Sequence, residues 1–429
     1  MKKRSVYLDH AASTPLSPKA LHAMLPYLRE HYANPANLYA EGQIARSAIT
    51  RATERIAKEL HCRADELVFT GSATEADNLA IAGAARGDRV QGKKIIISAV
   101  EHKGIAAAAH ALRDEGFTVV TIPVDRHAIL DLAALERELD ADTLLVSVTM
   151  ADSETGTLQP IARIAELIRE FKEENTYPLF HSDATQAAAY STIDVERLGL
   201  DMLTLSAHKL GGPKGIGVLY VRRGTPLRPL IVGGGKRGTV RAGTDNVPGI
   251  VGFAAALLEC RQGWRKKAAR IKKLRDELER GIFRSIPKVV RNGHLSARLP
   301  NFLSLSFLDT EGEALLLELD ELGIMVNTGS ACNAENLVPS AVLTALGQPY
   351  EFVHGSIRFT LGPTTTLADI RYVLKHLPVA VERLRAISPL NLSPEQSSPM
   401  AEPRAFVGGQ TPHFLRAKNL QTKKHAQTH

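Results

Sequence analysis

The run Asp201-Met202-Leu203-Thr204-Leu205, continuing as Ser206-Ala207-His208-Lys209-Leu210-Gly211-Gly212-Pro213-Lys214-Gly215, decides how this chain folds. Its first five residues suit a short apolar strand. A serine, a histidine and a lysine follow directly, and a glycine-rich turn then leads into the strand-like Ile216–Arg222. In open α/β sheets ligands gather at the carboxyl ends of strands, which is where Ser206 to Lys209 fall. Further out, Leu67–Thr70, Lys94–Ser98, Thr118–Ile122, Thr143–Thr149 and Pro178–Asp183 also read as strands. Helical segments lie between them at Thr74–Ala85, Leu132–Leu139 and Ile161–Phe171. Strands alternating with helices predict an α/β fold, a mostly parallel seven-stranded sheet with helices on both faces.

After Gly252 the pattern changes. A long helical region to about Phe283, a strand at Phe302–Phe307, a helix from Glu313 to Leu322 and a strand at Ser356–Leu361 predict a smaller α+β domain. The expected division is 1–252 for the large domain with its N-terminal arm, 253–390 for the small domain, and 391–429 for a disordered basic tail. That tail is rich in Ser, Pro, Gln, Thr and Lys and has no apolar period.

Composition excludes several classes. At 429 residues there is length for two domains, and 44% apolar with 23% charged residues is ordinary for a soluble globular protein. No apolar stretch is long enough to span a membrane. The N-terminus meets Asp9 before an apolar region develops, so a cytoplasmic location is expected. Three cysteines (Cys62, Cys260 and Cys332) without ligand spacing argue against a disulfide framework and a metal site. The formal charge of +7 raises nucleic acid as a partner. Part of it lies in the tail. Another part lies between Arg261 and Arg280, where Trp264, Ala268, Ile271, Leu274 and Leu278 recur at helical spacing and leave the basic residues a solvated face. No recognition motif supports nucleic-acid binding.

Lysine is the side chain that forms a stable imine with an aldehyde, and burial makes its amine nucleophilic. Around Lys209 the sequence supplies what such a cofactor needs. Thr70-Gly71-Ser72-Ala73-Thr74-Glu75 follows a strand, and Ser72 with Glu75 has capping-box spacing, so exposed N–H groups there would form a phosphate cup. Asp183, at a strand end in Asp183-Ala184-Thr185-Gln186, could keep a pyridine nitrogen protonated, and Gln186 could bond a phenolic oxygen. His102 could lie over the ring. Together these point to pyridoxal 5'-phosphate. Cys332 sits in Asn327-Thr328-Gly329-Ser330-Ala331-Cys332, small and polar surroundings that suit a thiol on a mobile loop, whereas Cys260 and Cys62 read as structural. Arg358 alternates with apolar neighbours on its strand and suits a bidentate clamp on an amino-acid carboxylate.

These segments, with Tyr7-Leu8-Asp9-His10-Ala11-Ala12-Ser13-Thr14-Pro15, Asn34-Pro35-Ala36, Arg241-Ala242-Gly243-Thr244 and Ser356–Gly362, resemble in order the group I cysteine desulfurases. Those are fold-type I pyridoxal phosphate enzymes of the class V aminotransferase family. The resemblance runs from Tyr7 to about Leu390. It implies that Lys209 carries the cofactor and takes the substrate's α-proton, with His102 stacked on the ring. It also implies that Asp183, Gln186 and Ser153 contact the ring, and that Ala73, Thr74, Ser206 and His208 hold the phosphate. Thr244 would reach in from the other subunit of a homodimer. Arg358 and Asn301 would bind L-cysteine, and Cys332 would keep the sulfur as a persulfide for an acceptor protein, with alanine as the other product. Iron–sulfur cluster assembly, tRNA thiolation and DNA sulfur modification draw on such enzymes.

The pattern departs in places. Ser153 stands where the family has an asparagine that bonds the phenolic oxygen, and Asp152 adds negative charge beside it. The Asn37 and Tyr39 region and Lys236-Arg237 also differ. Losing a hydrogen bond to a charged group costs about 1.5–3 kcal/mol, enough to slow turnover and not to stop it. Two alternatives therefore stand beside the desulfurase: a lyase or transferase for selenocysteine or another amino acid, and a catalytically weakened regulatory or structural subunit.

Overall fold

The computed structural model describes residues 4–88, 90–172, 177–233, 240–329 and 339–389. Cys332, the Lys236-Arg237 pair and the tail 391–429 lie outside the described residues.

Seven strands form the main sheet: β1 (Leu67–Thr70), β2 (Lys94–Ser98), β3 (Thr118–Ile122), β4 (Thr143–Ser147), β5 (Leu179–Asp183), β6 (Met202–Ser206) and β7 (Gly217–Val221). Their order is β1-β7-β6-β5-β4-β2-β3. All neighbours pair in parallel except those involving β7, which runs antiparallel to both β1 and β6. Side chains alternate between faces along each strand. Ile96, Val146, Leu203 and Val218 enter one core; Ile95, Ile97, Leu145, Met202 and Leu219 enter the other. With both faces covered, β4 to β7 are buried along their whole length. Polar side chains in the middle of this sheet satisfy one another. His181 holds Ser147 Oγ at 2.9 Å through Nδ1 and Thr204 Oγ1 at 3.1 Å through Nε2. Burial pushes the pKa of His181 down to about 3, so its ring is neutral.

The second layer is a three-stranded antiparallel sheet of β8 (Val289–Asn292), β9 (Phe302–Phe307) and β10 (Ser356–Thr360), with β9 central. Helices Trp264–Ser285 and Leu367–Ile387 pack on it through Leu278, Ile282, Val373 and Leu377. The helical run expected to 283 is two helices, because Gly263 turns the chain at φ +66°. The first of them, Val247–Arg261, spans residue 252 and buries Phe253 and Leu257 in the core of the main sheet. The helix after Gly263 buries Ile271, Leu278 and Ile282 in the second core.

The N-terminal arm joins the two layers. Val6 and Tyr7 pair in parallel with Ile324 and Met325, and Val6 and Leu8 are buried in the second core. A few residues on, Thr14 N donates to His208 O at 2.9 Å and Ser17 N to Gly211 O at 2.8 Å. Residues 9–13 thus cross from the small sheet to the end of β6. No helix among the described residues is long and apolar enough to cross a membrane.

Candidate active site

The ends of β5 and β6 and the start of the helix after β1 meet in a cavity of about 320 Å³. Asp183 closes β5, and its Oδ1 accepts from Thr185 N at 2.7 Å, a turn that fixes the carboxylate. Lys209 ends a single 3-10 turn after β6. Gly211, at φ +84°, and Gly212, where a β-carbon would lie 2.8 Å from Ala207 O, let the chain fold back tightly behind it. Lys209 Nζ donates to Ala11 O at 2.5 Å and Ala12 O at 2.8 Å. Burial, and then the charge of Arg358, push its pKa down to about 8 against the pull of Asp183 and Asp9. A useful fraction of this amine is therefore free near neutral pH.

Ser72 caps the helix beginning at Ala73, accepting from Glu75 N at 3.1 Å. The reciprocal half of the expected capping box is different. Glu75 Oε2 reaches Gly71 N at 2.7 Å, and Oε1 pairs with Arg241 Nε at 2.9 Å. The N–H groups of the first turn have no partner within their own helix, as at any helix start, and Ala73 and Thr74 line the cavity. Gly217 on β7 permits this arrangement, since a β-carbon there would lie 2.6 Å from Ser72 C.

His102 caps the next helix on the cavity wall. Its Nδ1 accepts from Gly104 N at 3.1 Å, so in the neutral ring the proton sits on Nε2. His208 contacts Ser13 Oγ through Nδ1 at 3.2 Å; burial first, then Lys209 and Lys214, lower its pKa to about 4.

Arg358 forms the far wall. Ile357 and Phe359 point into the core under the small sheet, which turns Arg358 toward the cavity. Its Nη2 donates to Asp9 Oδ1 at 2.8 Å and its Nη1 to Ser153 O at 2.7 Å, while Nε is buried without a partner. Asn327 Nδ2 donates to the other oxygen of Asp9 at 3.0 Å. The guanidinium is thus held in place with donors left over.

One expectation is corrected. Asp152 does not add charge to the cavity. Its carboxylate turns into the 152–157 segment and accepts from Glu154 N (2.9 Å), Thr155 N (2.6 Å), Thr155 Oγ1 (2.5 Å) and Thr157 N (3.0 Å). It acts as the organiser of a turn.

Of the residues expected from sequence, Ala73, Thr74, His102, Ser153, Asp183, Gln186, His208, Lys209 and Arg358 line this one cavity. Ser206 is buried at the end of β6, and Asn301 is buried with Oδ1 unpartnered; neither is at the cavity surface. Thr244 is exposed and away from it. Sequence reasoning gave no role to Asp9, to the carbonyls of Ala11 and Ala12, or to Asp77. The last lines the cavity with both carboxylate oxygens buried and His181 Nε2 4.0 Å from Oδ1. Burial and the nearby Asp183 and Glu101 raise the Asp77 pKa well above the usual carboxylate range. Cys62 and Cys260 lie elsewhere, and burial pushes their thiols up to about 12 and about 11. A larger open groove of about 690 Å³, beside Lys19, Glu59, Arg261 and Trp264, holds none of the chemistry-bearing residues.

A lysine amine, an acid and an arginine converge here at the carboxyl ends of parallel strands, and the class-V aminotransferase family model matches residues 6–373. The chain belongs to the class-V aminotransferase family. Within that family it is 43% identical over 387 residues to a protein named cysteine desulfurase IscS from Dictyoglomus turgidum, covering 90% of this chain and 97% of that one. The protein of the same name from Methanosarcina thermophila is 42% identical over 91% of this chain and 95% of its own length. Among solved structures, a NifS-like protein superposes with a TM-score of 0.83 at 34% identity, covering 89% of this chain and all of the other.

Proposed function

We propose that this class-V protein is a pyridoxal 5'-phosphate-dependent cysteine desulfurase that converts L-cysteine to L-alanine and passes the sulfur to an acceptor protein. The cavity fits the cofactor: an amine of lowered pKa, a fixed carboxylate and an open helix start surround one space. Pyridoxal phosphate, when bound, supplies a ring that withdraws electrons from the substrate's α-carbon. Lys209 would carry its aldehyde carbon. Ala73, Thr74, Ser206 and His208 would hold its phosphate, with Thr244 of a second subunit. Asp183 would bond the ring nitrogen, Gln186 and Ser153 the phenolic oxygen, and His102 would cover the ring face.

Arg358 binds the cysteine carboxylate, with Asn301 behind the same wall. The free Lys209 amine removes the α-proton, for which its pKa of about 8 is suited. The Cys332 thiolate attacks the substrate sulfur. A sulfur–sulfur bond forms and the carbon–sulfur bond breaks with its electron pair going to the β-carbon; a proton on that carbon, and return of the Lys209-held proton to the α-carbon, complete alanine. The observation that carries this reading is the meeting of Lys209, Asp183, His102 and Arg358 in one cavity.

A homodimer and a cytoplasmic location belong to the same proposal. Leu38, Tyr32 and Val232 are 88, 83 and 77% exposed, and Leu28 and Tyr39 add to the apolar surface of the N-terminal region. An uncovered surface of this kind suits a subunit interface, and light scattering should give twice the chain mass. The function is tested by alanine release from L-cysteine with a thiol reductant. Wild type should release alanine and Cys332→Ala should not; alanine from neither would overturn the reading.

A further inference from the structure

Glu154 is buried, and the reaction proposed above leaves it without a task. Its Oε2 accepts a hydrogen bond from Ser340 Oγ. The same oxygen lies against Gly329, where a β-carbon would come within 2.8 Å of it. Gly329 and Ser340 are far apart from Glu154 in sequence but close to Cys332, three residues before it and eight after it. One carboxylate therefore bonds the flank after the thiol and packs closely against the flank before it.

The flank after the thiol is itself anchored, and the flank before it is closely packed. Ser340 uses its single O–H on Glu154 and accepts from Leu343 N at 3.1 Å, capping helix Ala341–Ala345. Val342 and Leu343 of that helix pack with Val100 and Val124, next to His102 on the cavity wall. On the other flank, Gly329 lies beside β10, where Ser356 Oγ is 3.2 Å from its would-be β-carbon. Glu154 is also one bond from the substrate end of the cavity, because Ser153 O accepts from Arg358 Nη1 at 2.7 Å. The turn organised by Asp152 makes this connection short and stiff.

We infer that Glu154 is a positioning residue for the nucleophile: it bonds the flank after Cys332, and packs against the flank before it, from the turn that touches the substrate-binding arginine. The inference rests on the desulfurase reading with Cys332 as nucleophile. Its ionised form is the better acceptor for Ser340. The groups facing it are Asp152 on its own turn, Ser340 on the capped helix, Arg358 on the small sheet and Lys103 beside His102. Burial, reinforced by Asp152, raises the Glu154 pKa to about 7, against the opposing effects of Ser340, Arg358 and Lys103. The contact is therefore strongest above neutral pH and weakens as the carboxylate takes up a proton below it.

The test uses the full-length, cofactor-loaded protein mixed rapidly with L-cysteine. One readout is the cysteine-induced change in cofactor absorbance; the other is the mass gain of one sulfur on Cys332. In Glu154→Gln and in Ser340→Ala, sulfur loading should slow about tenfold or more while the absorbance change stays within about twofold. The double variant should be no slower than the slower single one, as for two partners of one contact. Wild-type loading should climb through about pH 7, and Glu154→Gln should lack that limb. Unchanged loading, or an equal fall in both readouts, would overturn the inference. If Glu154→Gln fails to hold the cofactor, Ser340→Ala decides alone. Cys332→Ala separates the two claims: alanine release from that variant would sink the nucleophile assignment whatever Glu154 does.

Discussion

The floor of the cavity and its rim are built in different ways. Asp183, Lys209 and the Ala73 helix start all sit where strands of one sheet end, so a few residues of local structure place each of them. The rim is assembled from distant pieces: Arg358 and Asp9 pair across 349 positions, and Arg358 and Ser153 meet across 205. The floor is a rigid seat for a cofactor. The rim draws together the N-terminal arm, the 152–157 turn and the small sheet at the place where a substrate carboxylate would bind.

The two regions should therefore fail differently. Lys209→Ala removes the amine that would carry the cofactor and take the proton; alanine release should fall to background, with loss of the absorbance of lysine-bound cofactor. Persistence of both would break the floor assignment. Arg358→Ala should keep the cofactor and raise KM for cysteine by about a hundredfold, since a charge-assisted pair of hydrogen bonds is lost. A fall in cofactor content of the same size would show that floor and rim are not separable. Asp9→Asn removes the charge from a part-buried ion pair while keeping acceptors for Asn327 and Arg358. The fold should lose about 1 kcal/mol, read as a lower midpoint in urea, with a smaller rise in KM.

The pH dependence sharpens the floor. Lys209 has a pKa near 8 in the folded chain, below its ordinary value of 10.5. Between these values the unfolded chain binds more protons at this site, so its contribution to stability rises with pH across that window. In the cofactor-free protein, stability of wild type relative to Lys209→Met should be lowest below pH 8 and improve toward 10.5; a flat difference would contradict the buried-amine geometry. The smallest effect belongs to Ser153. Its backbone carbonyl already serves Arg358, so Ser153→Asn should change only the ring contact and raise turnover by about tenfold at most.

Most of the floor could be read from the sequence because each part carries a local signal. Short apolar runs mark strands, Ser72 and Glu75 mark a helix start, and Gly211-Gly212 mark the turn behind Lys209. The rim could not be read in the same way. The strand alternation that singled out Arg358 says nothing of Asp9, its ion-pair partner from the other end of the chain. Asp77 lies on a helix with apolar residues close by, and only the folded sheet shows that its carboxylate is buried at the cavity wall. Two signals were present and easily underweighted. An aspartate followed by turn residues, as at Asp152, tends to bond its own backbone, and Gly263 marks the break between the two long helices.

The central claim is that floor and rim serve one reaction, with the cofactor on the first and cysteine on the second. It is tested most directly by a crystal structure of the cofactor-loaded Cys332→Ser protein with L-cysteine. The account predicts the phosphate at Ala73–Thr74, the ring nitrogen on Asp183, and the cysteine carboxylate on Arg358 with the Asp9 contact kept. A cysteine carboxylate bound away from Arg358, or a cofactor ring that leaves Asp183 unused, would contradict it.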